Sequence, residues 1–222
     1  MTIEHDPDTS DAMLSPAEAR VLGCLMEKQR TTPDQYPLTL NSLVSACNQK
    51  SARHPVMNMT PGEVGHVVNQ LRDRGLIYAS LSGRTERYDH KIVGTFLLSR
   101  EEHALLCALM LRGPQTTGEL RTNTARLADF KDLEQVTGTL HGMAERDRPL
   151  VVELPRQSGK REERYAHLLC GRPKLEDMPE SAQASSGEPT RSTRIEALEA
   201  EVAELRAQID RLWSLTGLDD QR

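Results

Sequence analysis

The chain has 222 residues, 28 Lys and Arg against 33 Asp and Glu, a formal charge of -5 and only 3% aromatic residues. That length allows one or two domains, with cores built from Leu, Val, Ile, Met and Ala. No run of about 18 apolar residues is present, which excludes a membrane-spanning helix, and the acidic, polar stretch Met1 to Asp11 is unlike a signal peptide.

The charge is unevenly placed. Residues 1–173 carry 22 basic and 22 acidic side chains, whereas residues 174–222 carry 6 and 11. The body is neutral, so a nucleic-acid surface has to come from local clustering. Cys24, Cys47, Cys107 and Cys170 are scattered without metal-ligand spacing. They are expected to be reduced thiols, mostly buried, in a cytoplasmic protein.

Residues 1–12 are expected to be disordered. Ser15, Pro16 and Glu18 open a first helix over 15–29, as an N-cap, a first-turn proline and the closing acid of a capping box. Val21, Leu22, Leu25 and Met26 form its apolar stripe. Two prolines between Thr31 and Pro37 make a loop. Thr39 caps a short second helix with Leu40, Leu43 and Val44 inward. The stretch 48–58 is polar, basic and irregular. Thr60 caps a third helix with Val64, Val67, Val68 and Leu71 on one face, ended by Gly75. Residues 76–81 read as a strand, Ser82-Gly83 as its turn and 84–90 as the returning strand.

The same order then recurs. Helices are expected over 101–111, 117–126 and 133–146, a strand over 150–154, a turn at Gln157-Ser158-Gly159 and a second basic return. Ser15-Pro16-Ala17-Glu18 and Ser99-Arg100-Glu101-Glu102 lie 84 residues apart. Val64, Val68 and Leu71 match Val136, Leu140 and Met143 at an offset of 72. Such a repeat points to duplication. The fold class is mainly α with small β hairpins (α+β): tandem winged-helix domains over 13–96 and 97–172.

Residues 173–192 are rich in Pro, Ser, Glu and Gly and read as a flexible linker. Ile195, Leu198, Val202, Leu205, Ile209 and Leu212 then alternate spacings of three and four. Placing Ile195 at a makes every a position β-branched and every d position Leu, the choice of a parallel two-stranded coiled coil. A coiled-coil helix over 193–218 and a homodimer are expected. The competing reading is a single amphipathic helix folded onto the body.

In a winged helix the third helix enters the major groove and the hairpin reaches the backbone. The duplex-DNA contacts expected in the first half are Lys50 and Arg53 from the loop, Asn69, Gln70 and Arg72 from the third helix, and Arg84 and Arg87 from the wing. Amides suit adenine edges and guanidiniums suit phosphate oxygens. In the second wing they are Lys160, Arg161 and Arg164. No phosphate-binding loop, nucleophile elbow or His-Glu metal motif occurs, so no enzyme, cofactor or metal is expected.

The run from Leu14 to Lys28, Tyr36-Pro37-Leu38-Thr39, Asn48-Gln49-Lys50-Ser51, Pro55-Val56-Met57 and the third-helix run through Leu71-Arg72 to Gly75-Leu76 resemble the YceH-like bacterial family. The resemblance covers about residues 13–172. It implies a tandem winged-helix fold and carries no activity with it. The family motif has Asn after Ser51, where this chain has Ala52-Arg53-His54. Two functions stay open: a duplex-DNA-binding protein acting as a transcriptional regulator, and a protein-interaction scaffold whose tandem arrangement resembles the segregation adaptor of condensin.

Overall fold

The computed structural model describes residues 13–82, 85–156 and 162–173. The chain divides into two units at Pro173 and Lys174, and all described elements belong to the first. The N-terminal stretch 1–12, the two hairpin turns, the linker from residue 174 and the heptad segment from Ile195 to Leu212 lie outside the described residues.

The fold is mixed, with helices carrying small antiparallel sheets. In chain order the elements are α1 (Pro16–Thr31), a 3-10 turn (Pro33–Gln35), β1 (Leu38–Thr39), α2 (Leu40–Cys47), α3 (Pro61–Asp73), β2 (Ile77–Ser82), β3 (Thr85–His90) and α4 (Ile92–Phe96). There follow α5 (Arg100–Arg112), α6 (Thr117–Thr124), α7 (Leu133–Ala144), β4 (Val151–Leu154) and β5 (Arg164–His167). Two elements escape the sequence pattern: the two-residue β1 and the short α4.

Local chemistry sets the helix starts. Ser15, Thr60, Ser99 and Thr116 each cap a helix and are answered by Glu18, Glu63, Glu102 and Glu119 three residues on, closing four capping boxes. Each box satisfies two backbone amides the helix cannot satisfy itself. Gly75 (φ 71°) and Gly113 (φ 75°) turn the chain out of α3 and α5 in a conformation that penalises a Cβ.

Each half runs three helices and then a hairpin. In the first, the sheet order is β1-β3-β2, with Ile77 opposite His90 and Leu38 opposite Tyr88. In the second, β4 and β5 pair with Val151 opposite His167, and β1 has shrunk to a single bridge, Gln115 to Tyr165. Leu38 and Gln115, like Tyr88 and Tyr165, are 77 residues apart.

The halves share one hydrophobic core. α1 and α5 lie against each other, and a Cβ on Gly23 would stand 2.9 Å from Leu111 Cδ2. The Cys107 thiol donates to the Gly23 carbonyl at 3.5 Å in the same contact. From Glu18 to Met26 every residue of α1 is buried, because α1 meets the rest of its own half on one side and α5 on the other. A helix buried all round is the mark of a central element.

Candidate functional site

The duplication extends to polar contacts. Arg74, just past α3, bonds the capping acid Glu18 at 2.8 Å and also donates to the Met13 carbonyl. Arg146, 72 residues on, bonds the capping acid Glu102 at 2.7 Å and the Phe96 carbonyl at 2.6 Å. Arg87 of β3 donates to the Pro37 carbonyl at 2.9 Å, and Arg164 of β5 to the Pro114 carbonyl at 2.9 Å. Arg87 and Arg164 tie each hairpin to the turn before the second helix of its own half, and Arg74 and Arg146 tie the end of each third helix to the start of the first.

The third helix presents the expected face. Val64, Val67, Val68 and Leu71 are buried, while Glu63, His66, Asn69, Gln70, Arg72 and Asp73 are exposed. Asn69 and Gln70 stand side by side on the solvent side of α3 and Lys50 is exposed in the preceding loop. In the second half His141 takes the place of Asn69, and its Nε2 lies 3.3 Å from the Tyr165 hydroxyl, which donates to Glu153 at 2.8 Å.

Among the described residues, three arginines on these surfaces face an acid. Arg72 faces Glu86 at 3.6 Å, Arg156 faces Glu163 at 3.4 Å and Arg164 faces Glu119 at 3.2 Å. Arg84, Lys160 and Arg161 lie outside the described residues.

Arg53 corrects a sequence expectation. It is 5% exposed, with its guanidinium turned inward. Two nitrogens meet the two carboxylate oxygens of Glu27 at 3.1 and 2.6 Å, Nε donates to the Ala46 carbonyl at 3.1 Å, and Gln49 accepts at 2.9 Å. Burial pushes its pKa down, but the hydrogen bond and charge of Glu27 more than offset this and raise it. Burial likewise pushes the Glu27 carboxyl up, and Arg53 then holds it below the ordinary value. A guanidinium so enclosed cannot reach a phosphate; it is a structural clamp.

Arg20 was not singled out by the pattern at all. It is 1% exposed, and donates to the Cys47 carbonyl at 3.1 Å and the Pro55 carbonyl at 2.6 Å. Arg20 holds the segment 48–58 by the Pro55 carbonyl, Arg53 anchors it from within by reaching Glu27 and the Ala46 carbonyl, and the His54 amide carries it to the Leu111 carbonyl of α5 at 2.8 Å. The only signal in the sequence was an arginine set inside the apolar run of α1.

His90 and His103 are buried and stacked, with ring centroids 5.5 Å apart, where β3 meets α5. His90 Nε2 meets Gln29 at 3.1 Å, whereas His90 Nδ1 and both nitrogens of His103 have no partner. Burial lowers the two rings to about 4 and about 3, with the charge of Arg30 acting the same way. Among the described residues no group of three His, Cys, Asp or Glu could hold a metal ion, and no helix is long and apolar enough to cross a membrane.

Residues 14–160 match a family model described as "Protein of unknown function, DUF480". The chain belongs to this family. Its relatives include a UPF0502 protein of Paraburkholderia phymatum, 45% identical over 214 residues that cover 96% of this chain and 91% of that one. A UPF0502 protein of Aeromonas hydrophila is 46% identical over 217 residues, 93% of this chain and all of that one. One of Cellvibrio japonicus is 44% identical over 207 residues, 91% and 95% of the two chains. The family match spans α1 through β4, and so takes in the first half and the second half up to the first strand of its hairpin.

Proposed function

We propose that the chain is a non-enzymatic interaction module built from two winged helices, and that what it grips is an extended segment of another protein. The repeated helix–helix–helix–hairpin order and the duplicated arginine latches support the tandem winged-helix reading. The observation that carries the partner class is the outer strand of the first hairpin. β2 is the edge of its sheet and, among the described residues, pairs with β3 alone.

The Lys91 amide donates to the Leu76 carbonyl at 2.9 Å. Antiparallel alternation then places the bonded pairs at 78/89 and 80/87, so the amides and carbonyls of Ala79 and Leu81 point away from β3. Leu81 is 80% exposed and Tyr78 54%. An open edge with exposed apolar side chains is what an added strand uses: main-chain bonds for affinity, side chains for selection. The neutral body and the arginines matched by Glu27, Glu86, Glu119 and Glu163 favour such a partner over a polyanion.

The test is a photo-reactive amino acid at position 81 in living cells, with position 134 on α7 as control. A discrete protein adduct at 81, lost when Ala79 is replaced by Pro, is expected. Recovery of nucleic acid, or equal labelling at both positions, would refute the reading.

Duplex DNA is the second reading. Exposed Asn69 and Gln70 on α3, next to exposed Lys50, favour it.

A further inference from the structure

The two hairpins are built alike but differ at their outer edges. Side chains of a strand alternate between the two faces of its sheet. In the first hairpin Ile77, Ala79 and Leu81 share one face with Glu86, Tyr88 and His90, whereas Tyr78 and Ser80 share the other with Arg87 and Asp89. Lys91, the residue after β3, sends its Nζ across to the ring of Tyr78, 5.2 Å from the centroid. The ammonium therefore stands over the outermost strand. Asp89 on the same face accepts from the Tyr36 hydroxyl. Among the described residues neither Arg87 nor Lys91 forms an ion pair. This face carries two cations against one carboxylate, and Lys91, at its open side, is exposed.

We propose that the strand added to β2 alternates acidic and apolar side chains, with its acids on the face of Tyr78 and Lys91 and its apolar groups on the face of Ala79 and Leu81; this rests on the reading of β2 as a protein-binding edge. A neighbouring strand runs about 4.8 Å away, so a side chain opposite Tyr78 lies beside the Lys91 ammonium. The arriving strand takes water from that ammonium, and a carboxylate replaces the lost solvation. On the opposite face Leu81 is 80% exposed, and an apolar neighbour on the added strand covers it.

The second hairpin closes the corresponding edge. The Leu168 amide donates to the Leu150 carbonyl at 2.9 Å. The bonded pairs are then 152/166 and 154/164, and the main-chain groups of Val151 and Glu153 point outward from β4. Glu153 lies opposite Tyr165 as Ala79 lies opposite Tyr88. Its carboxylate is exposed and accepts from the Tyr165 hydroxyl at 2.8 Å. A charge therefore stands where the apolar side chains of an added strand would pack, which is how edges are kept from pairing. Of the two duplicated edges, β2 accepts the strand and β4 does not, so each chain takes one.

The test titrates the full chain into fluorescent synthetic peptides that alternate Val with Glu, Val with Thr or Val with Lys, read by anisotropy. The Val-Glu peptide is expected to bind about tenfold tighter than the Val-Lys peptide, with Val-Thr between them and one peptide per chain. Lys91→Gln is expected to shrink that preference and leave Val-Thr affinity as it was. Ala79→Pro is expected to abolish binding of all three; the Ala79 amide points away from β3, so the β2–β3 ladder survives the change. Equal affinities, a preference for lysine, or two peptides per chain would overturn the selection, and their loss in Ala79→Pro would still uphold the open edge. If no peptide binds, or Ala79→Pro changes nothing, the edge itself is refuted and the selection falls with it.

Discussion

Arg53 and Glu27 form a forked ion pair across 26 residues of sequence, with contacts of 3.1 and 2.6 Å, in which the arginine side chain is closed to solvent. Removing one partner leaves the other buried and unmatched. Arg53→Met is expected to cost about 3 kcal/mol, the low end for a broken buried pair because Glu27 keeps some water. The double variant Arg53→Met, Glu27→Leu is expected to recover part of that loss. Urea denaturation of the three variants gives the coupling directly, and independent, additive effects would show that the fork does not hold the segment.

Gly23 sets how closely α1 approaches α5. A Cβ there would meet Leu111 Cδ2 at 2.9 Å and Cγ at 3.0 Å. Gly23→Val is expected to destabilise by about 1–3 kcal/mol through overpacking. Leu111→Ala, costly alone, is expected to cost less on that background. A thermal melt that leaves Gly23→Val unchanged would mean the helices can part without loss.

Ala52 sits at φ 58°, in the left-handed region, directly before the clamp residue Arg53. Its Cβ makes that conformation unfavourable, whereas asparagine tolerates it. Ala52→Asn is expected to stabilise the chain by about 0.5–1 kcal/mol, read as a rise in melting temperature. A fall would show that the half-buried side chain, not the backbone angle, decides this site.

Acid should loosen the junction of the halves. His90 and His103 are held neutral at about 4 and about 3, so their contribution is complete above the ordinary histidine value of about 6.5. Below that the unfolded chain binds protons that the fold refuses, and stability falls as pH drops toward 4. The loss is on the order of 3 kcal/mol per ring at pH 4, and less than additive because the rings interact. Glu27, lowered by Arg53, weakens the fold in the same direction as it protonates. His103→Leu is expected to flatten the dependence of unfolding free energy on pH between 6.5 and 4; an unchanged slope would assign the acid sensitivity to carboxylates alone.

Much of this fold was legible because it is written in short-range signals. Ser15 with Glu18 and Thr60 with Glu63 are caps three residues apart, and Val64, Val68 and Leu71 repeat at the helical period, so helix starts and faces could be read directly. β1 and α4 were missed because two and five residues carry no period. Arg53 was misplaced because its partner Glu27 lies on another helix, and no local pattern distinguishes a basic loop from a buried clamp. Arg20 was passed over for the same reason: its acceptors are backbone carbonyls at Cys47 and Pro55, and a carbonyl has no sequence. The inward face of α3, Val64, Val67, Val68 and Leu71, follows from the helical period, but the period does not say what lands on the opposite face.

The most direct measurement is binding of the full chain to mixed-sequence duplex DNA by fluorescence anisotropy across a salt series from low to physiological. A strand-binding module with Arg53, Arg72 and Arg164 matched internally is expected to show weak binding with a shallow dependence on salt. Tight binding whose logarithm falls steeply with the logarithm of salt, with a slope of several released counterions reduced by Lys50→Ala and Arg87→Ala, would contradict a protein partner and restore the nucleic-acid reading.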